Sequence, residues 1–149
     1  MTLKPYKLDK YAHDLVLKYR DKNVLNETHK MRMTVAYGLE RFWAEQFRLE
    51  KDKNQDKAKY WRETWKTLAT IMKQAKVIVP NDDIDSKNTN EIQEMAKKLW
   101  VQSDKDLDPN EKQKSDKKHE FNEDQRKVTL AVLTQLCDYM VWWVQRYKK

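Results

Sequence analysis

The chain contains a single glycine, Gly38, in 149 residues, and this scarcity restricts its fold more than any other feature. Tight β-hairpins use glycine because it adopts positive φ without a steric penalty, and a sandwich or barrel needs many such turns. Strong helix formers, in particular Lys, Glu, Gln, Ala, Leu and Met, are abundant. The sequence therefore predicts an all-α protein: a single compact bundle of about five helices spanning residues 1–149, with a long apolar C-terminal helix.

Hydrophobic periodicity and capping residues place the five helices. The first is expected at about residues 8–22, and the second at about 26–49, with Gly38 in its middle where another helix would approach closely. The third, at about residues 55–77, carries a regular apolar stripe: Trp61, Trp65, Leu68 and Met72. A short fourth helix should begin after Asn88 and a long last one after Asn122, because both residues have the spacing of a capping box.

Two polar stretches separate the later helices. Residues 80–88 follow the third helix, and residues 103–120 precede the last one. Eleven of the eighteen residues in the second stretch are charged, so it cannot bury enough apolar surface to offset its ordering entropy. We expect both stretches to be polar loops and the second to be mobile.

The last predicted helix, which contains LTQLCDYMVWWVQRYKK, could in principle anchor the chain in a membrane. Its apolar part covers the seventeen residues 128–144, fewer than the roughly 20 that span a bilayer, and Asp138 lies near its centre. We therefore predict a core helix and no membrane attachment, with Cys137 buried as a small hydrophobic residue. One unpaired cysteine and the lack of an apolar N-terminal segment favour a cytoplasmic location.

The sequence offers no constellation of residues for catalysis. The three histidines, His13, His29 and His119, lie on different segments, and none has a partner at the spacing of a metal site. A phosphate-binding loop would need several glycines, and no serine or cysteine stands in a nucleophile motif. We predict a protein that is not an enzyme and has no cofactor or metal.

Basic residues are concentrated in the first half of the chain. Residues 1–79 contain 18 Lys and Arg but 10 Asp and Glu, whereas residues 80–124 contain 8 and 13. At helical spacing these cations form two rows, each of which would lie on one face of a helix. The row on the third helix comprises Lys59, Arg62, Lys66, Lys73 and Lys76. The row on the second comprises Lys30, Arg41 and Arg48, interleaved with Thr34 and Tyr37.

Rows of cations with an interleaved aromatic ring suit a nucleic-acid backbone and an occasional stacked base. No device for reading base edges is evident, so binding should be independent of sequence. An ordinary solvated helix face would have the same appearance. The alternative is a helical protein–protein adaptor whose basic faces serve solubility only.

A basic helical bundle of this size that ends in a long apolar helix resembles the small subunit of CRISPR effector complexes. The segment DQRKVTLAV and the closing LTQLCDYMVWWVQRYKK are also similar to the C-terminal end of the large subunit of type I-D Cascade. In that system a free small subunit is made from the same gene by internal initiation. The opening YKLDKYAHDLVLKYRDK is compatible with such a start.

This resemblance implies a non-catalytic subunit of an RNA-guided surveillance complex. Such a subunit would contact the crRNA-carrying backbone subunits, the large subunit and further copies of itself, and it would stabilise the target DNA in the R-loop. It supplies no motif from which binding residues could be carried over. Tyr60, Trp100 and Trp143 would be candidates for contacts between subunits, with a plain core role as the alternative.

Overall fold

Six α-helices and two short 3₁₀ turns make up the fold of the computed structural model, which describes residues 5–100 and 121–149. The helices are α1 (Pro5–Tyr19), α2 (Glu27–Thr34), α3 (Leu39–Glu50), α4 (Gln55–Gln74), α5 (Thr89–Leu99) and α6 (Glu123–Tyr147), and the 3₁₀ turns are Arg20–Lys22 and Val35–Tyr37. No strand lies within the two described ranges. The prediction of an all-α fold is confirmed.

Helix α4 forms because a cap and an apolar stripe agree on its position. The Asn54 side chain accepts a hydrogen bond from the Asp56 N–H at 3.0 Å, which satisfies one of the free donors at the helix start. The predicted stripe is buried, with Trp61 and Trp65 each only 2% exposed. Burying one indole contributes about 4–6 kcal/mol before entropy costs, so these two side chains fix which face of α4 meets the core.

A single hydrophobic cluster joins the helices. Helix α6 packs along α1 and α2, and α3 packs along α4. Polar bonds hold these contacts in register: the Trp143 Nε1 on α6 donates to Asp9 on α1 at 2.8 Å, and the Thr28 and Tyr60 hydroxyls pair at 2.7 Å in the core. The predicted burial of Cys137 is confirmed, because that side chain is 0% exposed.

The predicted second helix is wrong as a continuous element, and the helix count rises accordingly. Gly38 has φ of 102° and ψ of 169°, a conformation that ends the 3₁₀ turn and precedes α3. Side chains strongly disfavour this region of the backbone map. Gly38 is thus the break between α2 and α3, and it is not the close helix crossing that the sequence suggested.

The C-terminal helix has the expected length but is not apolar along its whole circumference. It covers 25 residues, and its buried positions fall on one side: Thr129, Val132, Leu133, Leu136, Cys137, Met140 and Val144. Lys127, Gln135 and Asp138 are exposed, and so is Trp142. The prediction of a long apolar helix is therefore wrong, since α6 is amphipathic. Its predicted capping box is confirmed, with the Asn122 side chain accepting from the Gln125 N–H at 2.8 Å.

A stretch without helix connects α4 to α5 and includes the predicted polar loop 80–88. It is held against the core by the Trp65 Nε1, which donates to the Pro80 carbonyl at 3.0 Å. Beyond it, α5 buries Met95 and Leu99 against the bundle. The second predicted loop, 103–120, lies outside the described residues.

Candidate nucleic-acid interface

The solvent side of α4 carries the row of cations that the sequence predicted. Lys59, Arg62, Lys66 and Lys73 are all exposed, away from the buried indoles of the same helix. Lys76 is exposed as well, but it lies just beyond the helix in a left-handed backbone conformation with φ of 63°. Because an α-helix rises 1.5 Å per residue, seven residues separate Lys66 from Lys73 by about 10 Å along the axis.

One member of this row is engaged within the protein. The Arg62 Nε donates to the Gln46 side-chain oxygen at 2.9 Å, and its guanidinium forms an ion pair with Glu50. The remaining four members form no ion pair with any residue in the two described ranges: Lys59, Lys66, Lys73 and Lys76. Arg62 thus ties α4 to α3, and the four lysines leave their charge available.

Lys30, from the second predicted row, has an internal partner. Its Nζ lies 3.0 Å from Oε2 of Glu27, whose side chain is only 2% exposed. The other oxygen of Glu27 accepts a hydrogen bond from the Trp61 Nε1 at 3.0 Å. A carboxylate so deeply buried is costly unless it is paired and hydrogen-bonded, so Lys30 serves the fold by neutralising Glu27.

The second row does not exist as one line. Lys30 lies on α2, whereas Arg41 and Arg48 lie on α3, beyond the break at Gly38. The Arg48 guanidinium donates to the Glu45 carboxylate, and this bond raises the pKa of Arg48 above its usual value. The Arg41 guanidinium lies 5.6 Å from the centroid of the exposed Tyr37 ring. Only Arg41 remains from this row as a cation without a carboxylate partner among the described residues.

A cleft of about 690 Å³ opens beside the amino-terminal half of the α4 row. Lys59, Arg62 and Lys66 line it, together with aromatic side chains and the stretch 81–86, which includes three aspartates. One of these, Asp82, is paired with Lys98 at 2.6 Å. Carboxylates therefore share the cleft with Lys59 and Lys66, and the favourable potential for an anion is reduced there.

Tyr19 lies at the edge of this cleft and shows how the cleft wall is built. Its hydroxyl donates to the Glu63 carboxylate at 3.2 Å, and Glu63 also pairs with Lys18 at 2.8 Å. Burial, reinforced by the negative charge of Glu63, raises the pKa of Tyr19 to about 12. The polar groups of Tyr19, Lys18 and Glu63 thus satisfy one another, and on this side of the cleft they offer no free charge to a ligand.

Sequence reasoning missed two further lysines. Lys51 and Lys53 lie in the turn between α3 and α4, are exposed, and form no ion pair within the described part of the chain. They add free positive charge near the amino-terminal end of α4. In the sequence they belong to the short run KDK just before the third predicted helix. Helical periodicity does not identify this run, because it lies outside a helix.

The aromatic residues proposed for contacts between subunits differ in exposure. Tyr60 is completely buried, so that assignment is wrong. Trp143 is half-buried and packs edge-on against His13 with ring centroids 4.6 Å apart. Trp100 is 55% exposed at the end of α5 and is the only one of the three with a largely free ring.

Within residues 5–100 and 121–149, no three His, Cys, Asp or Glu side chains come together in a group that could hold a metal ion. None of the helices described is both long and apolar enough to cross a membrane. Comparison with family models, with curated proteins and with solved structures found no match to the chain.

Proposed function

We propose that this protein is a non-catalytic small subunit of a CRISPR RNA-guided surveillance complex, and that it holds the nucleic-acid backbone with the unpaired lysines of α4. The observation that carries this proposal is a set of exposed lysines without a carboxylate partner among the described residues: Lys59, Lys66 and Lys73 on α4, and Lys76 just after its end. The assignment to CRISPR complexes rests on the sequence resemblance. The all-helical bundle is consistent with it.

Lysine rows of this kind recognise charge and not sequence. A lysine ammonium is a hydrated point charge on a flexible stem, so it follows phosphates without fixing their register. Four such contacts to a single strand correspond to a slope of about −2.8 in log K against log salt. Affinity should therefore fall roughly 50-fold between 50 and 200 mM salt.

A salt-titrated gel shift with a single-stranded DNA of mixed sequence tests this proposal. Replacement of Lys59, Lys66, Lys73 and Lys76 by Gln should abolish most of the salt dependence, and the melting temperature should not change because these side chains make no internal ion pair. The control replaces four exposed lysines elsewhere by Gln: Lys10, Lys22, Lys97 and Lys127. It changes the net charge equally and should retain most of the affinity. Equal losses in both variants, or no binding by the wild type at low salt, would reject the backbone-binding role.

A helical protein–protein adaptor is the second candidate, and a specific observation favours it. Of the eight cations predicted to bind nucleic acid, Lys30, Arg48 and Arg62 are each paired with a glutamate. Copurification of the wild type and of the variant with the four Lys→Gln changes, each with the other subunits of the proposed surveillance complex, separates the two candidates. An adaptor would capture the same subunits with either protein and would show no shift with DNA.

A further inference from the structure

The carboxyl end of α4 has a backbone conformation that ordinarily calls for glycine. Lys76 N–H bonds to the Lys73 carbonyl and Val77 N–H to the Met72 carbonyl, both at 3.0 Å, while Lys76 itself has φ of 63°. This pair of bonds around a left-handed residue is the Schellman motif, in which glycine is usually found at the left-handed position. A side chain at that position is disfavoured because its Cβ crowds the following carbonyl oxygen.

Lysine gains nothing evident from the fold at this position. Asn23 is the other non-glycine residue with positive φ in the described ranges, at 60°, and asparagine tolerates this region well. Lys76 lacks that tolerance, and its exposed side chain forms no ion pair within the part of the chain described. Its attraction to the negative end of the α4 dipole is screened at the surface, and Lys73 already supplies a cation in the last turn.

We infer that Lys76 serves as a contact for a phosphodiester backbone at a cost to the stability of the protein. This inference rests on the proposed function and deepens it, because it names Lys76 as the last lysine of the row to contact the phosphates of a bound strand. Lys73 precedes it in the row, and the carboxylate-lined cleft lies beside the other half of α4. The carboxyl half of the row, with Lys73 and Lys76, is therefore where a single strand meets the least opposing charge.

Three substitutions at position 76 separate the charge from the backbone. Lys76→Gly removes both the ammonium and the Cβ, and it should raise the melting temperature by about 3 °C while weakening binding of a single-stranded DNA about 5-fold at 0.1 M salt. Lys76→Gln keeps the Cβ, so it should weaken binding equally and leave the melting temperature near that of the wild type. Lys76→Arg keeps the charge and should restore the affinity.

Asn23→Gly is the matched control at the second left-handed position, and it should leave DNA affinity unchanged. Wild-type affinity in both Lys76→Gly and Lys76→Gln, while Lys73→Gln still binds more weakly, would overturn this inference and leave the proposed function intact. A melting temperature of Lys76→Gly at or below that of the wild type would also overturn it, because lysine would then carry no cost. No DNA binding by the wild type at low salt would reject the proposed function as well.

Discussion

Replacing Lys30 by Gln should damage the fold and spare nucleic-acid binding, and Lys73→Gln should do the reverse. Both lysines are exposed helix residues, and both belong to rows that sequence periodicity assigned to one interface. The two lysines differ in whether a carboxylate lies within ion-pair distance. Lys30 lies 3.0 Å from the carboxylate of Glu27, whereas Lys73 has no acidic partner in the described ranges.

The magnitude follows from the surroundings of Glu27. Its side chain is 2% exposed, and one of its oxygens accepts a hydrogen bond from the Trp61 Nε1, which the replacement of Lys30 should leave in place. A hydrogen bond to a charged group contributes about 1.5–3 kcal/mol when buried, while an exposed pair three residues apart on a helix contributes about 0.2–0.5 kcal/mol. Lys30 itself is 57% exposed, so we expect an intermediate loss of about 1–2 kcal/mol. That corresponds to a fall of about 3–6 °C in the melting temperature.

Urea unfolding followed by circular dichroism gives the stability, and a gel shift at 0.1 M salt, well below the transition temperature, gives the affinity. Glu27→Gln and the double variant Glu27→Gln with Lys30→Gln complete a cycle that isolates the pair, because contacting residues are not additive. Lys73→Gln should leave the urea midpoint unchanged and weaken binding about 5-fold. The reasoning is refuted if Lys30→Gln binds more weakly while its unfolding curve overlays that of the wild type.

Three other expectations concern the break between α2 and α3 at Gly38, the cleft beside α4, and the buried groups Cys137 and Tyr19. Gly38→Ala should lower the free energy of unfolding in urea by about 1–3 kcal/mol, because φ is 102° there and an added Cβ is strained; a loss below about 0.5 kcal/mol would contradict this. The double change Asp83→Asn and Asp85→Asn should tighten DNA binding by removing negative charge from the cleft, and unchanged affinity would show that these carboxylates do not act on a bound strand. Stability should fall as the pH rises past 9, since burial raises the pKa of the Cys137 thiol and raises that of Tyr19 to about 12. Above their ordinary pKa values both groups ionise first in the unfolded chain, which favours unfolding. Urea unfolding midpoints measured at about pH 8 and about pH 10.5 check this. Cys137→Ala should shift the decline in stability to higher pH.

The parts of the fold that depend on one local signal could be predicted from the sequence. Trp61 and Trp65 recur at helical spacing and are buried as expected, and the caps at Asn88 and Asn122 begin helices where they should. In each case one physical requirement, an apolar face or a free N–H donor, determines the local structure. Periodicity therefore located α4 and α6 without knowledge of their neighbours.

Features that depend on two distant segments could not be predicted in this way. Gly38 has a helical pattern on both sides, and only the tertiary placement of α3 shows that the chain turns there. The Arg126 guanidinium on α6 binds both oxygens of Glu40 on α3, at 2.6 and 2.7 Å, across 86 positions of sequence. The spacing of cations along one helix contains no information about carboxylates on another helix. The pairing of Arg62 on α4 with Glu50 on α3 therefore could not be predicted either.

The arginines of this chain are all engaged within the protein, whereas its lysines are only partly so. All seven arginines of the chain lie in the described ranges, and each has an internal partner: a carboxylate for Arg32, Arg48, Arg62 and Arg126, the Tyr147 carbonyl for Arg20, and an aromatic ring for Arg41 and Arg146. The planar guanidinium binds carboxylates and rings with fixed geometry, whereas the lysine ammonium is more strongly hydrated and loses more when it is desolvated. Every arginine is therefore engaged, whereas the lysines are divided between paired ones, such as Lys18, Lys30 and Lys98, and ones without an ion pair in the described ranges. On this basis Arg62 belongs with the scaffold, while Lys59, Lys66 and Lys73 of α4 and the adjoining Lys76 remain available to an anion.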